Sequence, residues 1–287
     1  MTISRGAEPH PGAGRWRWMG RRIGDLGLIL GIAVLVVPFL IALSIALRPA
    51  ADVAADPLGW PTSVTLDNFI RTAQQLDYWT STLNSVIFTV GSAIIVVVIG
   101  SMVSYPIARL TRAWTNGLYR YFIVGLTIPF FVLVAPLYLL FRDLHLLNTH
   151  IGTVVIYSAM NLPIAVFFFS SFIRNVPIEL EEAAAIDGAG PYRTFFQIVL
   201  PLLRPVVATL LTSLVLAVWN DLLVPLIFMQ GEENRTIMSN AFALIDPRKV
   251  DPTTLFPAAL LGVAPLLIVF LILQRHIIDG IAAGAVK

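Results

Sequence analysis

The residues with the clearest chemical potential are polar side chains enclosed by long apolar stretches. Trp219, Asn220 and Asp221 stand together in one stretch, and Asn84 and Asn161 lie in two others. A buried amide or carboxylate needs a hydrogen-bond partner, so such residues either line a polar pathway or join neighbouring helices. For Asp221 both interpretations stay open, a cavity-facing or gate residue and an interhelical bond. For Asn84 and Asn161 the bond between helices is the preferred interpretation.

The sequence lacks the groups that hydrolyse ATP or catalyse another reaction. A phosphate-binding loop needs a lysine followed by serine or threonine after a glycine-rich turn. The two lysines are Lys249, which precedes Val250, and the final Lys287. Hydrolase signatures and a complete acid–base set are also missing. We therefore predict that the chain is not an enzyme and that active transport would need energy from a partner subunit.

Metal and nucleic-acid binding are not expected either. The sequence contains no cysteine and four histidines, of which only His145 and His150 lie close together. A metal site needs three or four convergent ligands, so we interpret these two as an exposed, solvated pair in a loop. The net charge is only +2, and no basic patch is interleaved with aromatic residues. We predict no metal, no cofactor of the chain's own and no nucleic-acid partner.

The composition is that of an integral membrane protein. Of the 287 residues, 57% are hydrophobic and 13% are charged, and the mean hydropathy is +0.82, values outside the soluble range. About 20 apolar residues cross a bilayer as a helix, which predicts an all-α, polytopic fold with contact to membrane lipid. Six predicted spans cover residues 26–47, 83–108, 121–141, 151–173, 206–229 and 255–274.

The distribution of positive charge predicts how these spans are oriented. Six crossings leave both termini on one side of the membrane, and 13 of the 19 lysines and arginines then fall on the side of the N-terminus. Cytoplasmic segments carry the excess of such residues, so both termini are predicted to be cytoplasmic. The predicted organisation is an arm at 1–25, a transmembrane domain at 26–274 and a tail at 275–287.

A polar insert, residues 177–205, separates the fourth and fifth spans. It begins with a proline that can take the first helical position, followed by glutamates that the helix dipole stabilises. Gly188 and Gly190 permit positive φ and are predicted to end this helix, Pro191 to open a second one and Pro201 to stop it. A helix with this many charges is predicted to stand outside the membrane, on the cytoplasmic side.

The order of residues in the insert resembles the EAA loop of ABC-importer permeases, in the branch that carries carbohydrates and is similar to the smaller maltose-type permease. The resemblance extends to residues 61–69, 152–157, 219–226 and 274–287. It implies a type I permease fold in which the insert is a coupling helix that docks on a cytoplasmic ATPase. The implied coupling residues are Glu182, Ala183, Ala184, Asp187, Gly188 and Ala189.

The resemblance implies a complex in a bacterial or archaeal cytoplasmic membrane. Its partners would be a second homologous permease subunit, two ATPase subunits that bind ATP and Mg, and an extracytoplasmic sugar-binding protein. The candidate substrate pathway comprises Trp219, Asn220, Asp221 and Asn161. Because arginine and lysine are absent from the membrane cores, and anionic solutes usually need such donors, a neutral sugar or oligosaccharide is favoured.

Two other classes of protein stay as alternatives at this point. An autonomous secondary transporter or channel would use the insert as a plain loop, but such proteins commonly carry several coupling-ion carboxylates at mid-membrane, where Asp221 stands nearly alone. A membrane-anchored assembly factor would bind ATPase subunits without transport. Uptake by this chain without an ATPase would establish the first alternative, and copurification with ATPase subunits but no transport the second.

Overall fold

The apolar runs fold into long helices because a backbone surrounded by lipid must satisfy its own hydrogen bonds. The computed structural model describes the backbone of residues 13–245 and 251–285 and the side chains of 25, 27–245 and 251–271. Residues 1–12 of the predicted arm and residues 286 and 287 of the predicted tail lie outside the described residues. Within the described ranges every regular element is helical, in agreement with the predicted all-α class.

The helices are numbered along the chain. They are α1 (Ala13–Ala46), α2 (Ala50–Ala55), α3 (Asp67–Gln75), α4 (Tyr78–Arg109), α5 (Ala113–Thr127), α6 (Phe130–Asp143), α7 (His150–Asn175), α8 (Glu179–Ile186), α9 (Pro191–Thr194), α10 (Leu200–Leu202), α11 (Arg204–Trp219), α12 (Leu223–Phe228), α13 (Ile237–Ala243) and α14 (Pro252–Ala285). A π-helical turn, Phe195–Val199, joins α9 to α10, and a 3₁₀ turn, Glu232–Asn234, follows α12.

Four helical segments are each long and apolar enough to cross a membrane alone: Gly27–Ala46, Tyr78–Arg109, His150–Asn175 and Pro252–Leu271. Two further candidates are bent pairs, Ala113–Thr127 with Phe130–Asp143 and Pro191–Leu202 with Arg204–Trp219. If each bent pair is one span, the described residues contain up to six spans. The predicted number is compatible with this range.

Two of the six predicted spans are not straight helices. The span predicted at 121–141 breaks at Ile128 and Pro129, and the helices on either side meet at 105°. Pro129 lacks an N–H, and the residue before a proline is pushed out of the helical region, as the ψ of 115° at Ile128 confirms. The span predicted at 206–229 ends as a helix at Trp219 and resumes as the short α12.

Backbone contacts divide the chain into two units, Met1–Ile70 with Asp251–Leu260 and Arg71–Val250 with Leu261–Lys287. In the first unit most apolar side chains of residues 27–43 in α1 are exposed, with Leu35 at 78%. The buried Arg48 follows α1 and donates to the carbonyls of Asp52, Asp56 and Pro57 at 3.1, 2.8 and 3.3 Å. It thereby fixes the chain that follows the first predicted span.

The core of the second unit lies where α4, α7 and α11 pack together, around buried residues such as Phe88, Phe169 and Leu214. Small residues permit the close approach of α4 and α7. A Cβ atom added at Gly100 would lie 3.1 Å from the Cβ of Ala165. Lipid supplies no hydrophobic force between helices, so close packing of small residues stabilises such a pair.

Candidate functional site

The first helix of the insert, α8, begins slightly later than predicted and ends where it was predicted to end. Its first residue is Glu179, two residues after Pro177. At its other end Gly188 has a φ of +80°, and the N–H of Ala189 donates to the carbonyl of Ala184 at 2.9 Å while that of Gly188 donates to Ala185 at 3.1 Å. This is a Schellman motif, which satisfies carbonyls at the helix end. The prediction of positive φ is confirmed at Gly188.

The second part of the insert departs from prediction in two places. Gly190 has a φ of −74° and serves as the residue before the helix, with Pro191 at the first helical position as predicted. Pro201 does not stop the helix, which continues to Leu202. The π-helical turn Phe195–Val199 ends two residues before Pro201. Because proline cannot bond to the carbonyl four residues back, a wider turn accommodates it where a regular helix would break.

Most of the predicted coupling residues lie on an uncovered surface. Glu182, Ala183, Asp187 and Gly188 are exposed, Ala189 is half-buried and Ala184 is buried. Beside them the side chain of Ile186 is 87% exposed. The insert thus presents small, acidic and apolar groups together, a combination suited to a groove with an apolar floor and basic edges.

The structure adds a residue that the sequence interpretation missed, Glu181. Its Oε1 accepts from Arg109 Nε at 2.8 Å and pairs with Arg109 Nη2 at 2.7 Å, and its Oε2 accepts from the Tyr105 hydroxyl at 2.7 Å. Only 11% of the Glu181 side chain and 12% of the Arg109 side chain are exposed. We call these three residues the Glu181 clamp. The signal in the sequence was the spacing of Tyr105 and Arg109. The two residues are four positions apart, which places their side chains on the same face of α4.

The predicted pathway residues Asp221 and Asn161 are connected through Tyr157, which the sequence interpretation also missed. The buried Tyr157 donates its hydroxyl to Asp221 Oδ2 at 2.9 Å, and its carbonyl accepts from Asn161 Nδ2 at 2.8 Å. The same Asp221 oxygen accepts from the N–H of Val224 at 2.9 Å and so caps α12. One oxygen of Asp221 therefore joins helices, while Oδ1 makes no hydrogen bond to the described residues.

The other two predicted pathway residues differ in accessibility. Asn220 is exposed and donates to the carbonyl of Leu216 at 2.9 Å, which leaves its own oxygen uncommitted. Trp219 is only 5% exposed, and its indole donates to the carbonyl of Gly262 at 3.1 Å. Its ring therefore packs α11 against α14, and the assignment of Trp219 to the substrate pathway stays a prediction.

Asn84 joins two elements, as its preferred interpretation predicted. Its Nδ2 donates to the carbonyls of Glu233 and Arg235 at 2.9 and 3.1 Å, and its Oδ1 lies 2.9 Å from His150 Nε2. His145 is exposed, but His150 is half-buried and contacts Phe88. The prediction of a solvated pair was wrong for His150, because folding brings it to the end of α4.

This arrangement of packed candidate spans, a broken helix and an exposed polar insert is that of a multi-pass membrane protein. The sequence model of a family described as "Binding-protein-dependent transport system inner membrane component" matches residues 96–282. The chain belongs to this family. Its resemblance to ABC-importer permeases is thereby confirmed, and the family consists of transport components rather than enzymes.

Curated relatives cover nearly the whole chain. The diacetylchitobiose uptake system permease protein NgcG of Streptomyces coelicolor is 31% identical over 263 residues, which are 91% of this chain and 87% of that protein. The melibiose/raffinose/stachyose import permease protein MelC of Bacillus subtilis is 32% identical over 252 residues, 88% of this chain and 91% of that protein.

A solved structure is similar in fold. It is a chain in the crystal structure of a bacterial ABC transporter involved in the import of the acidic polysaccharide alginate, with a TM-score of 0.77 and 17% identity. The match covers 94% of this chain and 99% of that chain. The permease fold of an ABC importer is therefore shown for nearly the full length.

Proposed function

We propose that this chain is the permease subunit of an ATP-driven importer of neutral sugars or oligosaccharides, and that residues 177–205 dock on an ATPase subunit. The observation that carries the proposal is the uncovered surface of the insert in a chain of this family. Glu182 and Asp187 supply acidic groups, and Ala183 and Gly188 let a partner approach the backbone closely. ATP and Mg would be bound by the partner, since the chain has no phosphate-binding loop.

The class of solute follows from the relatives and from the groups near Asp221. The curated relatives named above carry permease names for diacetylchitobiose and for melibiose, raffinose and stachyose. Asp221 Oδ1 and the oxygens of Asn220 and Asn161 are available to accept hydrogen bonds from hydroxyl groups. A neutral, hydroxyl-rich solute fits this set better than a phosphorylated one, because the predicted membrane cores contain no arginine or lysine to bind a phosphate.

The complex would contain a second permease, two ATPase subunits and an extracytoplasmic sugar-binding protein, in a cytoplasmic membrane with both termini of this chain in the cytoplasm. A cavity of about 770 Å³ between α4, α11 and α14 has an almost wholly apolar lining, including Ile94, Leu211 and Leu267. This concave apolar face suits packing against a helix of the second permease. Closure of the ATPase pair would move the insert and switch the pathway between its two openings.

The proposal is tested by uptake into liposomes that contain the complex copurified with its ATPase subunits. Mono-, di- and trisaccharides are screened with the cognate binding protein, with and without ATP. We expect uptake of a neutral sugar only with ATP and ATPase subunits present. Uptake by the chain without an ATPase would contradict the proposal and would establish an autonomous transporter.

Gly188 offers a sharper test of the docking surface. A Cβ atom at Gly188 or at Gly190 would meet nothing within 4 Å in this chain, but only Gly188 has a positive φ. Gly188→Val should therefore uncouple ATP hydrolysis from uptake, since it strains the turn and adds bulk to the docking surface. The matched control is Gly190→Ala, which should keep uptake per ATP hydrolysed. Unchanged uptake by the Gly188→Val complex would count against docking through this turn.

A further inference from the structure

Two consecutive glutamates of α8 face different surroundings. Glu182 is exposed on the surface that the proposed function assigns to the ATPase, whereas Glu181 is turned inward to Arg109 and Tyr105 on α4. Successive residues of a helix lie about 100° apart around its axis, so neighbouring side chains serve different faces. The two carboxylates therefore cannot have the same contacts, although they are the same residue type.

Tyr105 and Arg109, the clamp residues on α4, contact the chain before α8, α8 itself and the chain after it. Arg109 Nη2 also donates to the carbonyl of Val176, the residue that follows α7, at 3.0 Å. The ring of Tyr105 lies 5.2 Å from that of Phe195, in the second half of the insert. One turn of α4 is thus hydrogen-bonded to the chain before α8 and to α8 itself, and it packs against the π-helical turn that follows α9.

The geometry of the clamp makes it stiff. Both oxygens of Glu181 are engaged, one by the guanidinium and the other by the phenol, and both charged side chains are nearly nine-tenths buried. Charge-assisted bonds are stronger than neutral ones, and burial reduces their screening by salt. A displacement of α8 is therefore resisted by α4, a helix of 32 residues that is about 48 Å long at a rise of 1.5 Å per residue.

We propose that the Glu181 clamp is the joint that carries movement of the insert into α4, and that Glu181 is a positioning residue whose role is separate from that of Glu182. This inference rests on the proposed docking of the insert on an ATPase. Glu182 would decide whether the partner binds. Glu181 would decide whether binding moves the membrane helices.

The test compares Glu181→Gln with Glu232→Gln, the same change at a side chain that is 88% exposed and lies outside the insert. Both are made in the complex copurified with ATPase subunits. Because the chain has no cysteine, nitroxide labels can be attached at Trp79→Cys and Ala185→Cys, both exposed positions, on α4 and α8. Pulsed electron paramagnetic resonance measures their separation without nucleotide and with ATP plus vanadate.

With an intact clamp α4 and α8 move as one body, so the label separation should be the same in both nucleotide states for the unaltered chain and for Glu232→Gln. In Glu181→Gln the separation should shift and broaden with ATP plus vanadate, and uptake per ATP hydrolysed should be lost while the ATPase subunits stay bound. Tyr105→Phe, which keeps the ion pair, should give a smaller shift and serves as the decisive variant if Glu181→Gln does not yield a complex.

Failure of this inference is distinguishable from failure of the proposed function. If the unaltered chain retains no ATPase subunit, the docking proposal and the joint fall together. If it retains them, and Glu181→Gln and Tyr105→Phe keep the same separation and the same uptake per ATP as Glu232→Gln, docking stands and the joint alone is overturned. A separation that already changes between nucleotide states with the clamp intact also overturns the joint.

Discussion

The two ends of α4 are held in different ways. At one end Asn84 uses a neutral amide to bond the carbonyls of Glu233 and Arg235 and to meet His150. At the other end Arg109 and Tyr105 hold the carboxylate of Glu181 through an ion pair and a hydrogen bond. The first end bonds mainly to backbone, and the second bonds mainly to a side chain.

This difference indicates different tasks for the two ends. A short amide bonded to two carbonyls fixes the local path of the chain that carries them, and each such bond contributes about 1 kcal/mol. A buried ion pair contributes little net stability, but the loss of one partner leaves an unpaired charge. The Asn84 end therefore shapes a loop, whereas the Arg109 end makes the position of α8 and the position of α4 depend on each other.

The largest expected effect is at the Arg109 end. Arg109→Ala leaves Glu181 nearly buried without its cation, which should destabilise the fold by about 3–5 kcal/mol. A strong decrease in the melting temperature of the purified chain would report it. Adding Glu181→Gln to Arg109→Ala should recover part of the loss, because the uncompensated charge is gone. Equal melting temperatures for Arg109→Ala and the unaltered chain would mean that the Arg109 end of α4 does not have the larger effect on stability.

The next effect is at the Asn84 end. Asn84→Ala removes the N–H donors to the two carbonyls. Each carbonyl left without a hydrogen bond then lowers the stability by about 1–3 kcal/mol, unless water replaces the donor. Faster hydrogen exchange is expected across residues 229–236, with little change in α8. Asn84→Asp is the matched control, since it also lacks the N–H donors but keeps an acceptor for His150. Protection of this loop in both variants would mean that Asn84 does not shape it.

The smallest loss of stability is expected at a bond that belongs to neither end of α4, the hydrogen bond from Tyr157 to Asp221. Tyr157→Phe removes one hydroxyl and should destabilise the chain by about 1 kcal/mol, because Asp221 still caps α12 through Val224. A small decrease in melting temperature would check this. Asp221→Ala removes both bonds and should lower it further. A larger effect of Tyr157→Phe than of Asp221→Ala would show that the cap is unimportant.

The sequence predicted elements wherever a local rule was sufficient. Continuous apolar runs predicted the helices, and the charged insert between two of them was predicted to stand outside the membrane. Gly188 was correctly assigned a positive φ, and Pro191 the first position of a helix. The predictions from local rules were wrong for the φ of Gly190 and for the helix end at Pro201. A glycine also adopts negative φ, and a π-helical turn accommodates a proline.

The site was less predictable than the fold. Asp221 was recognised as an unusual carboxylate, but its partner Tyr157 lies 64 residues away in the chain. Trp219 was assigned to the candidate substrate pathway, and the sequence did not indicate that its indole donates to the carbonyl of Gly262. Partners of this kind depend on how helices are rotated about their axes, and a run that is apolar on all sides does not reveal its rotation.

By itself, the sequence determined that this chain is a helical membrane protein with a polar insert, because hydropathy and turn residues act over a few neighbouring positions. Only the tertiary structure decided that Glu181 faces α4 while Glu182 is uncovered. It also decided that the third apolar run bends by 105° at Pro129 and that Asn84 meets His150. The physical reason is that these outcomes depend on contacts between residues far apart in the chain, where packing selects one rotation and one bend from several that the local sequence allows.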